Sequence, residues 1–250
     1  ATAGGAVVAT GQQGKGCTFV WEVPSMKTLS VLKTGQKNVH LLAFSPEGRL
    51  LVSVGECRQV AVSDWRSQTV LCITKGEPAA TLDLAVGPPG GDFSFLSCGD
   101  KHMRRWTLRG RNLTASKIVT SSCKGAKIQQ YICAVQAGGR YLVGCEDGSV
   151  YVVPCGDKGV GARFDHHTEN AKEKGVLLKQ RQTAVTAMHV QGGVLFTGAK
   201  NGTVAVWDVT QLGEGKDRPT KVFSFDLRTL GIPGLSAVQV QALSTLPTEG

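Results

Sequence analysis

A short apolar strand, a turn and a second alternating strand recur along this chain, and each recurrence ends at a position that Trp usually occupies. The five recurrences align at positions 21, 63, 106, 153 and 207, which are 42, 43, 47 and 54 residues apart. Steps of roughly 40 to 45 residues are typical of the four-stranded blade of a β-propeller. The sequence therefore predicts an all-β protein, an array of repeated sheets with five blades present.

The blade boundaries follow from the repeat and from the Gly, Pro and Asn turns between apolar segments. We expect a first, incomplete blade at 1–38, further blades at 39–75, 76–125, 126–180 and 181–226, and the start of another at 227–250. Residues 156–175 are polar and Gly-rich and coincide with the longest step, so a loop inserted into the fourth blade is predicted there. Strands are also expected at Val176–Gln180 and Ala237–Leu243.

Composition limits the class of protein. The sequence has no run of 18 apolar residues and no basic-then-apolar leader of the secretory type, so a membrane span is not expected. The 8 Cys residues include no pair at the two-residue spacing of a zinc clamp. We interpret them as reduced thiols that pack as small apolar side chains in a cytosolic protein, with no metal and no cofactor.

Enzyme signatures are missing from the sequence. The glycine-rich segment 11–17 is not a phosphate-binding loop. A loop built on Gly14-Lys15 would need Gly at position 9 and Ser or Thr at position 16, but the chain has Ala9 and Gly16. Asp165-His166-His167 lacks the helical spacing that directs two imidazoles at one metal ion, so these histidines are predicted to be incidental surface residues. No Gly-x-Ser-x-Gly elbow is present. The sequence therefore favours a protein that is not an enzyme.

One stretch carries a more specific series of motifs, namely Cys98-Gly99, Lys101-His102, Trp106-Thr107 and Leu113-Thr114 in this order. Other parts of the chain add Ala9-Thr10-Gly11-Gln12, Leu42-Ala43-Phe44-Ser45, Val62-Ser63-Asp64-Trp65, Phe196-Thr197-Gly198 and Val206-Trp207-Asp208. Together these motifs resemble the echinoderm microtubule-associated protein-like family. The resemblance covers most of 6–226, and Ser63 and Val153 depart from it by replacing the blade Trp.

The resemblance implies a fold, a function and a set of structural residues. The fold would be the N-terminal member of two joined, atypical propellers, and family members bind microtubules or soluble tubulin. The structural blade positions would be Trp21, Asp64, Trp65, His102, Trp106, Trp207 and Asp208. Because about five blades do not ordinarily close a ring in this family, we expect the rest of the chain or another chain to supply the missing blades. Residues 1–250 alone are expected to aggregate or fold poorly.

Charge suggests where a partner would bind. The net charge is +9, and 101–140 contains nine basic residues and no Asp or Glu. Eight of them are candidate binding residues: Lys101, Arg104, Arg105, Arg109, Arg111, Lys117, Lys124 and Lys127. A local positive field would attract an acidic partner, and this attraction would weaken as salt rises. The alternative is a solvated rim with no binding role.

Arg104 and Arg105 need a separate explanation, because neighbouring residues on a strand point to opposite faces and the inner strands of a blade usually bury both. Either these residues lie near a rim, which is the interpretation we prefer, or a carboxylate from the neighbouring blade pairs with them. An unpaired buried charge would cost several kcal/mol.

The sequence leaves two leading hypotheses for function. The first is a non-enzymatic microtubule-associated protein that binds tubulin, organises the cytoskeleton and works in the cytoplasm, with the cilium, the axoneme or the spindle as sites of action. The second is a general WD-repeat scaffold that binds other proteins on its propeller faces without binding microtubules. A membrane or nucleic-acid partner is not expected.

Overall fold

The structure is a computed structural model that describes residues 2, 5–14, 16–166, 183–214, 216–230 and 239–244. The chain divides into two compact units, Ala1–Ile118 and Val119–Gly250. Apart from two short 3-10 turns at Glu56–Arg58 and Leu227–Leu230, the regular structure consists of antiparallel strands. In the described part of the chain, no helix has the length and apolar character needed to cross a membrane.

The first unit contains three sheets. The first sheet has three strands: β1 (Val7–Gly11), β2 (Cys17–Glu22) and β3 (Thr28–Lys33). The second has four: β4 (Leu41–Phe44), β5 (Leu50–Gly55), β6 (Gln59–Asp64) and β7 (Thr69–Lys75). The third also has four: β8 (Thr81–Val86), β9 (Ser94–Gly99), β10 (His102–Arg109) and β11 (Asn112–Lys117). In each sheet the strands follow one another in chain order, which is the meander expected of a blade.

The second unit contains two sheets of four strands. One is formed by β12 (Tyr131–Ala137), β13 (Arg140–Cys145), β14 (Ser149–Pro154) and β15 (Ala162–Asp165). The other is formed by β16 (Val185–Gln191), β17 (Val194–Ala199), β18 (Thr203–Asp208) and β19 (Thr220–Asp226). The expectation of an all-β protein with five blade-like sheets is confirmed.

The five aligned positions of the repeat occupy the same place in their sheets. Each lies on the strand before the outermost one and stands opposite an apolar residue of the preceding strand. The pairs are Trp21 with Val8, Ser63 with Leu51, Trp106 with Phe95, Val153 with Tyr141, and Trp207 with Leu195. The repeat found in the sequence is therefore a repeat in strand register.

A hydrogen bond explains why Trp is used at this position. In three sheets the indole nitrogen donates to a hydroxyl two residues along the preceding strand. The pairs are Trp21 to Thr10 at 2.8 Å, Trp106 to Ser97 at 2.9 Å and Trp207 to Thr197 at 2.8 Å. A buried indole N–H needs such an acceptor, because leaving it unpaired costs about 1–3 kcal/mol.

In the two sheets that lack the Trp, the residue that stands in the place of the acceptor hydroxyl is accommodated in another way. In the second sheet, which has Ser63 at the repeat position, the hydroxyl of Ser53 donates to the amide oxygen of Gln36 at 2.6 Å. Gln36 is fully buried and returns a hydrogen bond to the Ser53 carbonyl. In the fourth sheet, both Val153 and its neighbour Val143 are apolar and fully buried, so no hydrogen bond is needed.

Apolar side chains fill the space between successive sheets within each unit. In the first unit, Val20 packs with Leu51 and Trp65, and Val62 packs with Phe95 and Trp106. In the second unit, Leu142, Val150 and Val152 pack with Leu195, Ala205 and Trp207. Strands such as β14 bury five consecutive residues, 149–153, because both faces of the sheet are covered.

One predicted loop is partly wrong. Ala162–Asp165, inside the predicted insertion at 156–175, forms β15 and pairs with β14. The segment alternates, since Ala162 and Phe164 enter the core while Arg163 and Asp165 form an ion pair outside it. The alternation was missed in the sequence because the strand is short and lies among polar residues. The rest of the insertion from 167, the predicted strand Val176–Gln180 and residues 237–238 lie outside the described residues, and 239–244 does not form a strand.

His102 is held by a hydrogen bond to the backbone. Its side chain is buried, and Nδ1 lies 3.1 Å from the carbonyl oxygen of Asp100 in the turn that precedes β10. Burial lowers the pKa of the imidazole, although the Asp100 carbonyl and carboxylate act in the opposite direction. The folded protein therefore holds His102 in its neutral form at a pH where an exposed histidine is protonated.

The indole-to-hydroxyl hydrogen bond can be measured with a double-mutant cycle. We expect Trp106→Phe and Ser97→Ala to destabilise the intact protein non-additively, with a coupling energy of about 1 kcal/mol, because either change removes the same hydrogen bond. Urea unfolding of the single and double variants gives this energy. Trp65→Phe combined with Ser97→Ala is the control and should be additive, because the Trp65 indole donates to the Gly48 carbonyl. Additivity in the Trp106 cycle would contradict the assignment.

The buried state of His102 predicts a pH dependence. As the pH falls below about 6.5, an unfolded chain protonates this histidine while the folded protein does not, so the free energy of unfolding should decrease. The His102→Gln variant keeps a hydrogen-bond donor and should lose less stability than the wild type between pH 7.5 and 5.5. Equal losses in the two proteins, measured by urea unfolding at each pH, would show that the buried imidazole is not the cause.

Candidate binding surfaces

The basic residues of the third sheet lie at two ends of the sheet and do not form one patch. Lys101 and Lys117 lie at the end where β10 begins, and Arg104 stands opposite Lys117 in the register of β10 and β11. Arg109 and Arg111 lie at the other end, on the turn between β10 and β11. The five steps from Arg104 to Arg109 correspond to about 17 Å of strand. The basic stretch seen in the sequence therefore supplies two separate groups of cations in this unit.

Arg104 lies near the end of the third sheet and has a carboxylate partner. It forms an ion pair with Glu77, which lies on the connection between β7 and β8. The two side chains are 34% and 17% exposed, so the pair is largely shielded from water. Arg105, the next residue of β10, is partly exposed. Arg104 is thus held by the connection between two sheets and contributes little free positive charge.

At the opposite end, Arg109 is bound to a carboxylate that the count over 101–140 did not include. Its Nε lies 2.8 Å from Oδ2 of Asp92, and the side chains are 76% and 50% exposed. Arg111 is exposed on the hairpin turn, where Gly110 has φ of +60°. That backbone conformation favours glycine.

The Asp that follows the repeat position closes a turn in two sheets. Asp64 is buried and accepts hydrogen bonds from Arg49 Nε at 2.8 Å and from the backbone N–H of Arg66 at 3.1 Å. Burial raises the pKa of this carboxyl, but these hydrogen bonds outweigh it and hold the pKa below its ordinary value. Asp208 is exposed and accepts from the hydroxyl and backbone N–H of Thr210, which lower its pKa.

Trp65 completes the turn after β6. Its indole nitrogen donates to the carbonyl of Gly48 at 2.7 Å, and the guanidinium of Arg66 lies 5.5 Å from the ring centroid. Because Gly48 belongs to the turn between β4 and β5, this hydrogen bond joins two turns of the same sheet. Asp64 and Trp65 hold these turns together, and they position Arg49 and Arg66 at the surface.

Lys124 and Lys127 belong to the second unit, on the connection that precedes β12. Lys127 Nζ lies 3.3 Å from Asp147 Oδ2, while its backbone N–H donates to the Tyr151 hydroxyl at 2.9 Å. The Tyr131 hydroxyl donates to the Lys127 carbonyl at 3.1 Å. Burial raises the pKa of both tyrosines, so their hydroxyls stay protonated and hold the connection in place. Lys124 is exposed on this fixed connection.

His166 is not an incidental surface residue, and this prediction is wrong. It follows β15 directly, is fully buried, and its Nδ1 lies 2.7 Å from the hydroxyl of Thr197. The same hydroxyl accepts the Trp207 indole N–H, so His166, Thr197 and Trp207 form one buried network. The clue in the sequence is a histidine directly after an alternating strand. His167 lies outside the described residues.

Gln36 and Gln129 have structural roles that the sequence did not reveal. Both are buried on the connections that lead into an innermost strand, Gln36 before β4 and Gln129 before β12. The Gln129 amide donates to the Tyr151 hydroxyl at 2.9 Å and its oxygen accepts the Asp147 N–H at 3.0 Å. Within the described residues, no group of three His, Cys, Asp or Glu side chains is placed to hold a metal ion.

A family model described as WD40, "WD domain, G-beta repeat", matches residues 173–208. Echinoderm microtubule-associated protein-like 2 of Rattus norvegicus is 28% identical over 213 residues, or 81% of this chain. The human protein of that name is 31% identical over 119 residues, or 44% of this chain. Centriole proteome protein 16 of Chlamydomonas reinhardtii is 33% identical over 91 residues, or 36% of this chain. The chain spans 31%, 18% and 4% of the lengths of these relatives.

Solved structures agree on the fold. The β-propeller domain of Cps50 (Swd1) from Myceliophteria thermophila superimposes with a TM-score of 0.72 and 14% identity, over 91% of this chain and 71% of that one. U3-55K superimposes with a TM-score of 0.69 and 17% identity, over 96% of this chain and 67% of that one. At these identities the likeness concerns the fold alone. The fold is therefore that of a WD-repeat β-propeller, and the chain is similar to curated proteins named echinoderm microtubule-associated protein-like, in agreement with the resemblance of its motifs.

Proposed function

We propose that this protein is a non-enzymatic microtubule-associated protein that binds tubulin and helps to organise the cytoskeleton. The observation that carries the proposal is the similarity, over 81% of the chain, to a protein named echinoderm microtubule-associated protein-like 2. Tubulin presents an acidic surface, and the chain carries a net charge of +9. Long-range attraction between the two would raise the rate of encounter and would be screened by salt.

The arrangement of cations supports a binding role. Lys101, Arg111 and Lys117 in the first unit and Lys124 in the second are exposed and form no ion pair within the described ranges. Each lies on a turn or at a strand end, while the faces of the sheets are buried against their neighbours. A partner would therefore meet the charged turns first. The uncompensated charge on these turns is what favours an acidic macromolecule.

The buried reactive groups favour binding over catalysis. Burial raises the pKa of the Cys72 and Cys145 thiols, and a nucleophilic cysteine needs the opposite shift. The buried histidines His102 and His166 are used in hydrogen bonds that join strands or turns. Because a propeller fold does not by itself fix a function, the role of this protein has to lie in its surface.

The names of the relatives also support a location. A family of microtubule-associated proteins and a protein of the centriole proteome both belong to the cytoskeleton. We therefore place the protein in the cytoplasm on microtubule structures, with the cilium, the axoneme and the spindle as the settings to examine. The polar turns at the ends of the sheets leave room for other protein partners in these assemblies.

Sedimentation with microtubules tests the proposal. The intact protein should pellet with stabilised microtubules and be released as salt rises, because the attraction is between opposite charges. Changing Lys101, Arg111, Lys117 and Lys124 to Glu should weaken binding roughly tenfold or more, since each change replaces attraction by repulsion. Absent or salt-insensitive pelleting would contradict the proposal and favour a general WD-repeat scaffold.

A matched variant separates a specific surface from net charge. Lys27, Lys33, Lys37 and Lys75 are exposed in the first unit, and changing all four to Glu alters the net charge by the same amount. This control should retain most of its microtubule binding. Equal loss in the two variants would show that the overall charge, and not the turns named above, causes the attraction.

A further inference from the structure

Two arginines in the first unit are held in the same unusual way. Arg49 donates through Nε to Asp64 Oδ2 at 2.8 Å, and Arg109 donates through Nε to Asp92 Oδ2 at 2.8 Å. Their side chains are 68% and 76% exposed. Within the described part of the chain, no other hydrogen bond to either guanidinium is present. The terminal amino groups of both residues, which form the fork that matches a carboxylate, are therefore available to a ligand.

One recess is lined by Arg49 and by the carboxylate partner of Arg109, which places Arg109 beside its edge. The recess has a volume of about 260 Å³, and Arg49 and Asp92, the residue that anchors Arg109, line it together. Partly exposed Leu50, Pro88 and Phe93 line the remainder. A ligand in the recess would meet an apolar surface bordered by guanidinium groups.

The anchors make this arrangement rigid before any ligand arrives. Asp64 is buried and is fixed by the backbone N–H of Arg66 as well as by Arg49. Hydrogen bonds hold the pKa of Asp64 low in spite of its burial, so the anchor keeps its negative charge near neutral pH. A guanidinium that is already oriented loses less side-chain entropy when it binds, which increases affinity.

The charges around the recess favour a negatively charged ligand. Asp64 and Asp92 each already have an arginine partner, which leaves Glu47 as the one carboxylate of the recess lining without an ion pair among the described residues. Arg111 lies two residues beyond Arg109 on the same hairpin turn, and Arg66 stacks on Trp65 beside the Asp64 anchor. Cations with free donors therefore outnumber free carboxylates around the recess, although Glu47 would oppose an acidic ligand.

We propose that this recess binds an acidic peptide segment, with Arg49 and Arg109 each receiving a carboxylate and the apolar residues contacting the side chain between them. The proposal rests on the proposed function and deepens it, because it assigns to the partner a segment rich in Asp and Glu and names the residues that bind it. It also separates these arginines from Lys101 and Lys117 at the other end of the third sheet.

Fluorescence anisotropy tests the proposal with the intact protein. The probe is a fluorescein-labelled peptide of about twelve residues, mostly Glu with one central Tyr, at low salt because the contacts are electrostatic. Arg109→Lys and Arg49→Lys keep the charge but remove the fork, and each should raise Kd about fivefold. Glu47→Gln removes the opposing carboxylate and should lower Kd about twofold to threefold. Lys75→Gln, which removes an exposed cation at the opposite end of the second sheet from Asp64, should leave Kd unchanged.

Several results would overturn the proposal: no binding of the peptide, unchanged binding in both lysine variants, no gain from Glu47→Gln, or a loss in Lys75→Gln as large as that in Arg109→Lys. Circular dichroism of Arg49→Lys checks that the fold survives the change, and Arg109→Lys gives the answer if it does not. Sedimentation with microtubules separates the two proposals. Pelleting that is unaffected in both lysine variants contradicts this site alone, whereas arginine-dependent peptide binding without pelleting contradicts the microtubule function alone.

Discussion

The structure depends on a hydrogen bond between an indole on one strand and a hydroxyl on the strand before it. Trp21, Trp106 and Trp207 make this bond to Thr10, Ser97 and Thr197. An indole is large enough to reach the next sheet and polar enough to need one fixed partner, so the same side chain fills the space between sheets and sets the register within one. This is why the position recurs while most residues around it vary.

The exceptions support this account, because they change both partners or supply a new one. Where Ser63 replaces the Trp, Gln36 enters the core and binds the orphaned Ser53 hydroxyl. Where Val153 replaces it, the position of the hydroxyl is taken by Val143 and the polar contacts move to Tyr151 and Gln129. A half-satisfied pair would leave a buried polar atom without a partner, which is costly in an interior of low dielectric constant. The second sheet still carries this cost at Ser63 itself, whose buried hydroxyl has no hydrogen-bond partner among the residues that the structure describes.

Much of the fold could be predicted from the sequence, because the repeat position, the Gly turns and the alternation of apolar residues are all local patterns. The candidate binding surfaces were harder to predict, because the carboxylates that pair with their arginines are distant in the chain. Glu77 neutralises Arg104 from a connection 27 residues earlier, and Asp92 anchors Arg109 from 17 residues earlier. A count of charges over 101–140 excludes both carboxylates. His166 was missed because its partner, the Thr197 hydroxyl, is 31 residues away.

Hydrogen exchange of the indole protons tests the central claim most directly. In protein labelled with ¹⁵N at Trp, the indole N–H signals of Trp106 and Trp207, which are 2% and 3% exposed, can be followed by NMR after transfer to D₂O. We expect both protons to exchange far more slowly than a free indole, at rates close to those of the backbone amides of β10 and β18, because exchange requires the sheets to separate. Exchange of either indole at the rate of a solvent-exposed Trp would show that the repeated position does not hold the sheets as described.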